Sequence, residues 1–74
     1  MTEEKKMELL EEMLEVDEGT LKPETLLADL EEWDSIALIS FIALVDDEFD
    51  KTMKGAEVRA FVTIADALAA MKED

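Results

Sequence analysis

The residues with most chemical potential are gathered at Glu31-Glu32-Trp33-Asp34-Ser35-Ile36, where a serine follows an acid at the mouth of an apolar helix. The sequence has no histidine and no cysteine. It therefore has no Ser–His triad, no thiol nucleophile and no zinc ligands of the usual kind. Nothing in it can act as a base for a nucleophilic Ser35, and the plain reading of Asp34 and Ser35 is as helix-cap residues. The other groupings carry less. Asp50-Lys51-Thr52-Met53-Lys54-Gly55 has the first and sixth residues of a calcium loop, but Lys54 and Phe61 stand where oxygen ligands belong. Asp46, Asp47, Glu48 and Asp50 are crowded enough to attract a loose cation, although consecutive helical residues do not converge on one ion. Met1, Met7, Met13, Met53 and Met71 read as gap fillers. No resident metal is expected.

The elements that must position Ser35 follow from spacing. Thr2 to Glu15 reads as an amphipathic helix capped by Thr2, with Met7, Leu10 and Leu14 inward, Leu9 and Met13 widening the stripe, and Glu and Lys at the remaining positions. Gly19 and Pro23 punctuate a stretch without period from Val16 to Asp34. Its leucines, Leu21, Leu26, Leu27 and Leu30, are expected to pin a long loop to the core, with one helical turn after Pro23. A second helix, capped by Asp34, is expected to run to about Asp50. Leu38, Phe41, Ile42, Val45 and Phe49 form its core stripe. Ile36, Ile39, Ser40, Ala43, Asp46, Asp47 and Asp50 form the opposite face. Met53 should anchor the next connection. Ala56 to Phe61 makes a short third helix, and a Thr63–Asp66 capping box opens a last helix running to about Lys72, with Ile64, Ala67, Leu68 and Met71 inward. These segments predict an all-α fold with residues 1–74 as a single domain. Its form would be a small four-helix bundle of three longer helices and one short, with a long loop between helices 1 and 2.

Composition narrows the functions. Twenty-one acids against seven bases give a net charge of −14 on 74 residues, which disfavours nucleic acid and anionic membrane surfaces alike. At 49% hydrophobic, the chain is too apolar for a disordered acidic tail. With one tryptophan, three phenylalanines and no tyrosine, its core must be mostly aliphatic. Ile36 to Val45 is the longest nearly apolar run, about half of the roughly 20 residues a membrane span needs. The N-terminus has no apolar stretch typical of a signal peptide. A cytoplasmic monomer is expected.

Asp34-Ser35-Ile36, the Asp47-Glu48-Phe49-Asp50 segment and the Thr63-Ile64 cap together resemble the acyl carrier protein family. The loop Leu21…Thr25-Leu26-Leu27-Ala28-Asp29-Leu30 and the helix order are similar to that family's as well, so the resemblance covers essentially the whole chain. Its sharpest element is Asp34-Ser35-Ile36, similar to the family's Asp-Ser-Leu attachment motif with Ile in place of Leu. Where fatty-acid carriers usually have a small residue and Gly, this chain has Glu31-Glu32-Trp33. It resembles instead a Trp-Asp-Ser subset of stand-alone bacterial carriers serving specialised pathways.

The resemblance implies a carrier and not an enzyme. A phosphopantetheinyl transferase would install a 4′-phosphopantetheine arm from coenzyme A on Ser35, with Asp34 helping to hold that enzyme's magnesium. Acyl groups would then ride as thioesters on the arm's thiol and be presented to a loading ligase and other pathway enzymes with basic patches. Ile36, Ile39, Ser40, Ala43, Asp46 and Asp47 would meet these partners, the acids by electrostatic steering. A phosphodiester at Ser35 suits a helix N-terminus, whose free amides and dipole favour an anion. Two alternatives stay open: an aminoacyl or peptidyl carrier of a nonribosomal pathway, and an acidic helical interaction module that is never modified. Trp33 either covers the loop or touches a partner or the arm.

Overall fold

A computed structural model describes residues 2–72 of the chain. The helices are α1 (Glu3–Leu14), α2 (Ser35–Phe49), α3 (Gly55–Arg59) and α4 (Ile64–Ala70), with a single 3₁₀ turn at Leu27–Asp29. Each α-helix begins where a side-chain oxygen can take a backbone amide left without a helical partner. The Thr2 hydroxyl accepts from the Lys5 amide at 3.2 Å, and the Asp34 carboxylate accepts from Ala37 at 2.9 Å. At α3 the Glu57 carboxylate reaches back to the Lys54 amide, and at α4 that of Asp66 reaches back to Val62 and Thr63. The ends of α1 and α2 are closed by Glu15 and Asp50 in the left-handed region, with φ of 57° and 50°. Neither is glycine, so each closure costs about 1–2 kcal/mol of backbone strain.

The fold is all-helical: among the described residues there are no strands, and the one β-type contact is an isolated antiparallel bridge between Leu26 and Thr63. The α2 helix packs against α1 and α3, and α1 packs against α4. The radius of gyration is 11.0 Å, matching the about 11 Å expected of one compact body of this length. No helix among the described residues is long and apolar enough to cross a membrane.

The core is assembled from Leu10 and Leu14 of α1, Phe41, Val45 and Phe49 of α2, Val58 of α3, and Ile64, Ala67 and Leu68 of α4. Leu21, Leu27, Met53 and Met71 enter it from the connections. Phe41 is fully buried at its centre, edge-on to Trp33 with ring centroids 5.9 Å apart and to Phe61 at 5.6 Å. These T-shaped contacts match the positive edge of one ring to the negative face of the next.

Five expectations are corrected. Leu26 is 44% exposed and is no anchor: it is the extended residue before the 3₁₀ turn and bridges Thr63 through its backbone, while Leu27 takes the buried place. Leu38 and Ile42 sit half-buried at the rim of the core, whereas Ala37 is buried. The helical turn expected after Pro23 forms at Leu27 instead. The carbonyls of Pro23 and Thr25 are committed elsewhere, accepting from the first amides of α4, Ala65 and Ile64, at 2.9 Å each. The third helix lies at Gly55–Arg59 and excludes Phe61, since the chain must straighten by Val62 to pair with the loop, where the Leu27 amide donates to the Val62 carbonyl at 2.9 Å. The last helix stops at Ala70, because Met71 leaves helical geometry (ψ 70°) as its side chain enters the core.

Glu11 is the largest departure. Its place on a helix of Glu and Lys predicts solvent, yet only 5% of it is exposed. Its carboxylate accepts from the amides of Gly19 at 2.8 Å and Leu21 at 3.4 Å. Gly19 has φ of 86°, a conformation that suits glycine and turns the chain back over α1.

Asp66 gives a pH-dependent contribution. Hydrogen bonds from the Val62 and Thr63 amides hold its carboxyl below the ordinary value of 3.8, against a small opposing effect of desolvation. Because the folded value is the lower one, this contribution is complete above the ordinary carboxylate value and lost as pH falls through the lowered one. A carbon NMR titration of Asp66 is expected to show a midpoint below 3.8. A midpoint at or above that value would remove the back-hydrogen-bonds at the start of α4.

Candidate functional site

Tight turns deliver Ser35 to the first turn of α2. The Leu30 amide donates to the Leu27 carbonyl, Trp33 to Leu30, and Asp34 to Glu32, all within 3.0–3.2 Å. Asp34 is then extended, and its carboxylate caps Ala37 while its carbonyl accepts from the Leu38 amide at 3.0 Å. Ser35 is the first residue of α2 and is exposed. As the first two residues of the helix, Ser35 and Ile36 have amides with no carbonyl one turn back inside it. The arrangement offers an accessible hydroxyl where backbone amides favour an attached anion. Asp34, the acid beside Ser35, is engaged as the helix cap.

Ile36 and Ile39 are 73% and 65% exposed, and Ala43, Asp46 and Asp47 are exposed along the same side of α2. Ser40 is half-buried, a turn and more into the helix. With Leu44 and Glu48, the last four of these after Ile39 line a shallow open depression. The α2 surface is therefore apolar beside Ser35 and acidic at its far end. Ile36 and Ile39 are two of the four exposed large apolar side chains of the described residues, with Leu26 and Val62. The crowded acids Asp46, Asp47, Glu48 and Asp50 do not form the expected loose cation site. Among the described residues, no three acidic side chains converge to hold an ion, because successive positions on a helix fan outward.

Trp33 is half-buried against Phe41, which gives it a structural contact, and it also lines a groove of about 430 Å³ that opens beside Ser35. Leu38 and Phe61 form the groove's apolar walls, and Arg59 of α3 stands among its lining residues. Neither Phe61 nor Arg59 is a site residue from sequence alone. The signal available was that Arg59 is the only arginine of the chain; in the last turn of α3 it also suits the negative end of the helix dipole.

No protein-family model, curated protein or solved structure matches this chain.

Proposed function

We propose that the chain is a carrier protein and not an enzyme. Ser35 takes a 4′-phosphopantetheine arm from coenzyme A through a phosphopantetheinyl transferase. The arm's thiol holds acyl intermediates as thioesters and presents them to the enzymes of a specialised biosynthetic pathway. On this reading the four helices make a small bundle, and the long connection between α1 and α2 exists to deliver Ser35. The observation that carries the reading is the placement of Ser35: an exposed hydroxyl on the first turn of a 15-residue helix, flanked by the Asp34 cap and by the exposed Ile36 and Ile39. Asp34 caps the helix in the unloaded protein and helps hold the transferase's magnesium during loading. Ile36, Ile39 and Ala43 make the short-lived apolar contact with each partner, while Asp46 and Asp47 steer basic patches toward it. Ser40 lies at the margin of that surface. A monomer with a small interface suits a protein that must release each partner in turn.

Intact mass after incubation with a broad-specificity transferase, magnesium and coenzyme A tests the proposal. One arm is expected on the wild type and on Ser40→Ala, and none on Ser35→Ala. A wild type that stays unmodified would leave the chain as an acidic helical interaction module. Modification that survives in Ser35→Ala would place the arm elsewhere.

A further inference from the structure

We propose that Arg59 is the counter-ion of the arm's phosphodiester, and that it draws the arm into the groove beside Ser35. This rests on the carrier reading of Ser35. A phosphodiester on Ser35 adds a negative charge next to the Asp34 carboxylate, on a chain that already carries a net charge of −14. The amides at the start of α2 offset part of that repulsion, but Asp34 already takes the Ala37 amide. Arg59 is the one basic residue among those lining the groove that contains Ser35. Arg59 is exposed on this side of the fold, and no carboxylate of the described residues is engaged with it, as with most bases of this chain. As the groove's one base, the Arg59 guanidinium is available to an anion attached at Ser35. Its planar fork of donors suits a phosphodiester. The apolar walls beside it, Trp33, Leu38 and Phe61, suit the methyl-bearing and methylene parts of the pantetheine chain. The result is an arm that rests along the protein and is released when a partner's basic patch competes for the phosphodiester.

The test uses isotope-labelled full-length protein carrying the arm with a free thiol, its loading confirmed by mass. The Arg59 Nε–H and Trp33 Nε1–H resonances are expected to move between unloaded and loaded wild type. The Arg59 displacement should fade as ionic strength rises from about 0.01 to 1 M, where the screening length shrinks from roughly 30 to 3 Å. In Arg59→Gln the Trp33 displacement on loading should fall about two- to fivefold, the range one surface ion pair supports, and Arg59→Lys should retain part of it. A loaded wild type in which Arg59 does not move overturns the inference and leaves the carrier reading intact. Movement that appears only when the arm bears a carboxylate-terminated acyl group also overturns it, since the anion would then be the cargo's. A wild type that takes no arm ends both, and the mass shows this before any resonance is recorded.

Discussion

Phe41→Ala is expected to unfold most of the protein or bring it to the edge of unfolding. Phe41 is fully buried and is edge-on to both Trp33 and Phe61, so its removal leaves a cavity and two rings without a partner. Phenylalanine-to-alanine changes in cores cost about 3–5 kcal/mol, and whole domains have only about 5–15 kcal/mol. A chain this small should lie toward the lower end of that range. Ile36→Ala and Ile39→Ala provide the contrast. Their side chains are largely exposed, so truncation should change stability by no more than about 0.5 kcal/mol while slowing loading by the transferase. Urea titrations followed by the near-ultraviolet signal of Trp33, with loading rates measured by mass, read both effects. A Phe41→Ala protein within about 1 kcal/mol of wild type would contradict the packing described here. An Ile39→Ala protein as damaged as Phe41→Ala would mean that α2 is buried on all sides.

Glu11→Leu is the second large effect. The Glu11 carboxylate takes the amides of Gly19 and Leu21, and a leucine would leave these donors without an acceptor. Hydrogen bonds to a charged group contribute about 1.5–3 kcal/mol each, and the Gly19 bond is the shorter and stronger of the two, so a loss of about 2–3 kcal/mol is expected. Removing one negative charge from a highly acidic chain works the other way by easing self-repulsion. Glu11→Gln separates the two contributions: it removes the same charge but keeps an acceptor oxygen, and it should lose about 1 kcal/mol. Urea titrations give both values, and hydrogen exchange at Gly19 and Leu21 should accelerate most in Glu11→Leu. A Glu11→Leu protein at least as stable as wild type would show that the bonds to the loop contribute nothing net.

Much of the helical framework was legible because its determinants are local. Thr2, Asp34 and Asp66 each act within four residues of the amides they bond, and a short window of sequence contains everything needed to find them. The inward stripe of α4 was legible for the same reason: Ile64, Ala67, Leu68 and Met71 repeat at helical spacing, and all are buried. What the sequence concealed depends on partners far along the chain. The burial of Glu11 is decided by where Gly19 and Leu21 fold back. Its spacing from Met7 and Leu14, which places it on the apolar stripe of α1, was a visible sign that its polar type obscured. The exposure of Leu26 and the early end of α3 are both set by pairing between the loop and the residues preceding α4. At the candidate site, Asp34 and Ser35 could be placed from sequence because one is a cap and the other opens the helix. Arg59 could not, since only the packing of α3 against α2 brings it to the same groove.

The bonds from Ile64 and Ala65 to the carbonyls of Thr25 and Pro23 also make the loop and α4 depend on each other. A helix of seven residues is far below the roughly 12–15 at which an isolated helix becomes even marginal in water. The α4 segment therefore has little structure to offer until the loop has arrived to receive its leading amides. The loop, in turn, has only its local turns, Thr25 to Lys22 and Leu30 to Leu27, until the residues around Val62 are in place. Each element is the other's template, and bringing them together closes most of the chain into one ring before any of these bonds is gained. The turns that deliver Ser35 are local, but the loop that carries them is tied to the start of α4, so disruption of α4 is expected to loosen that loop as well.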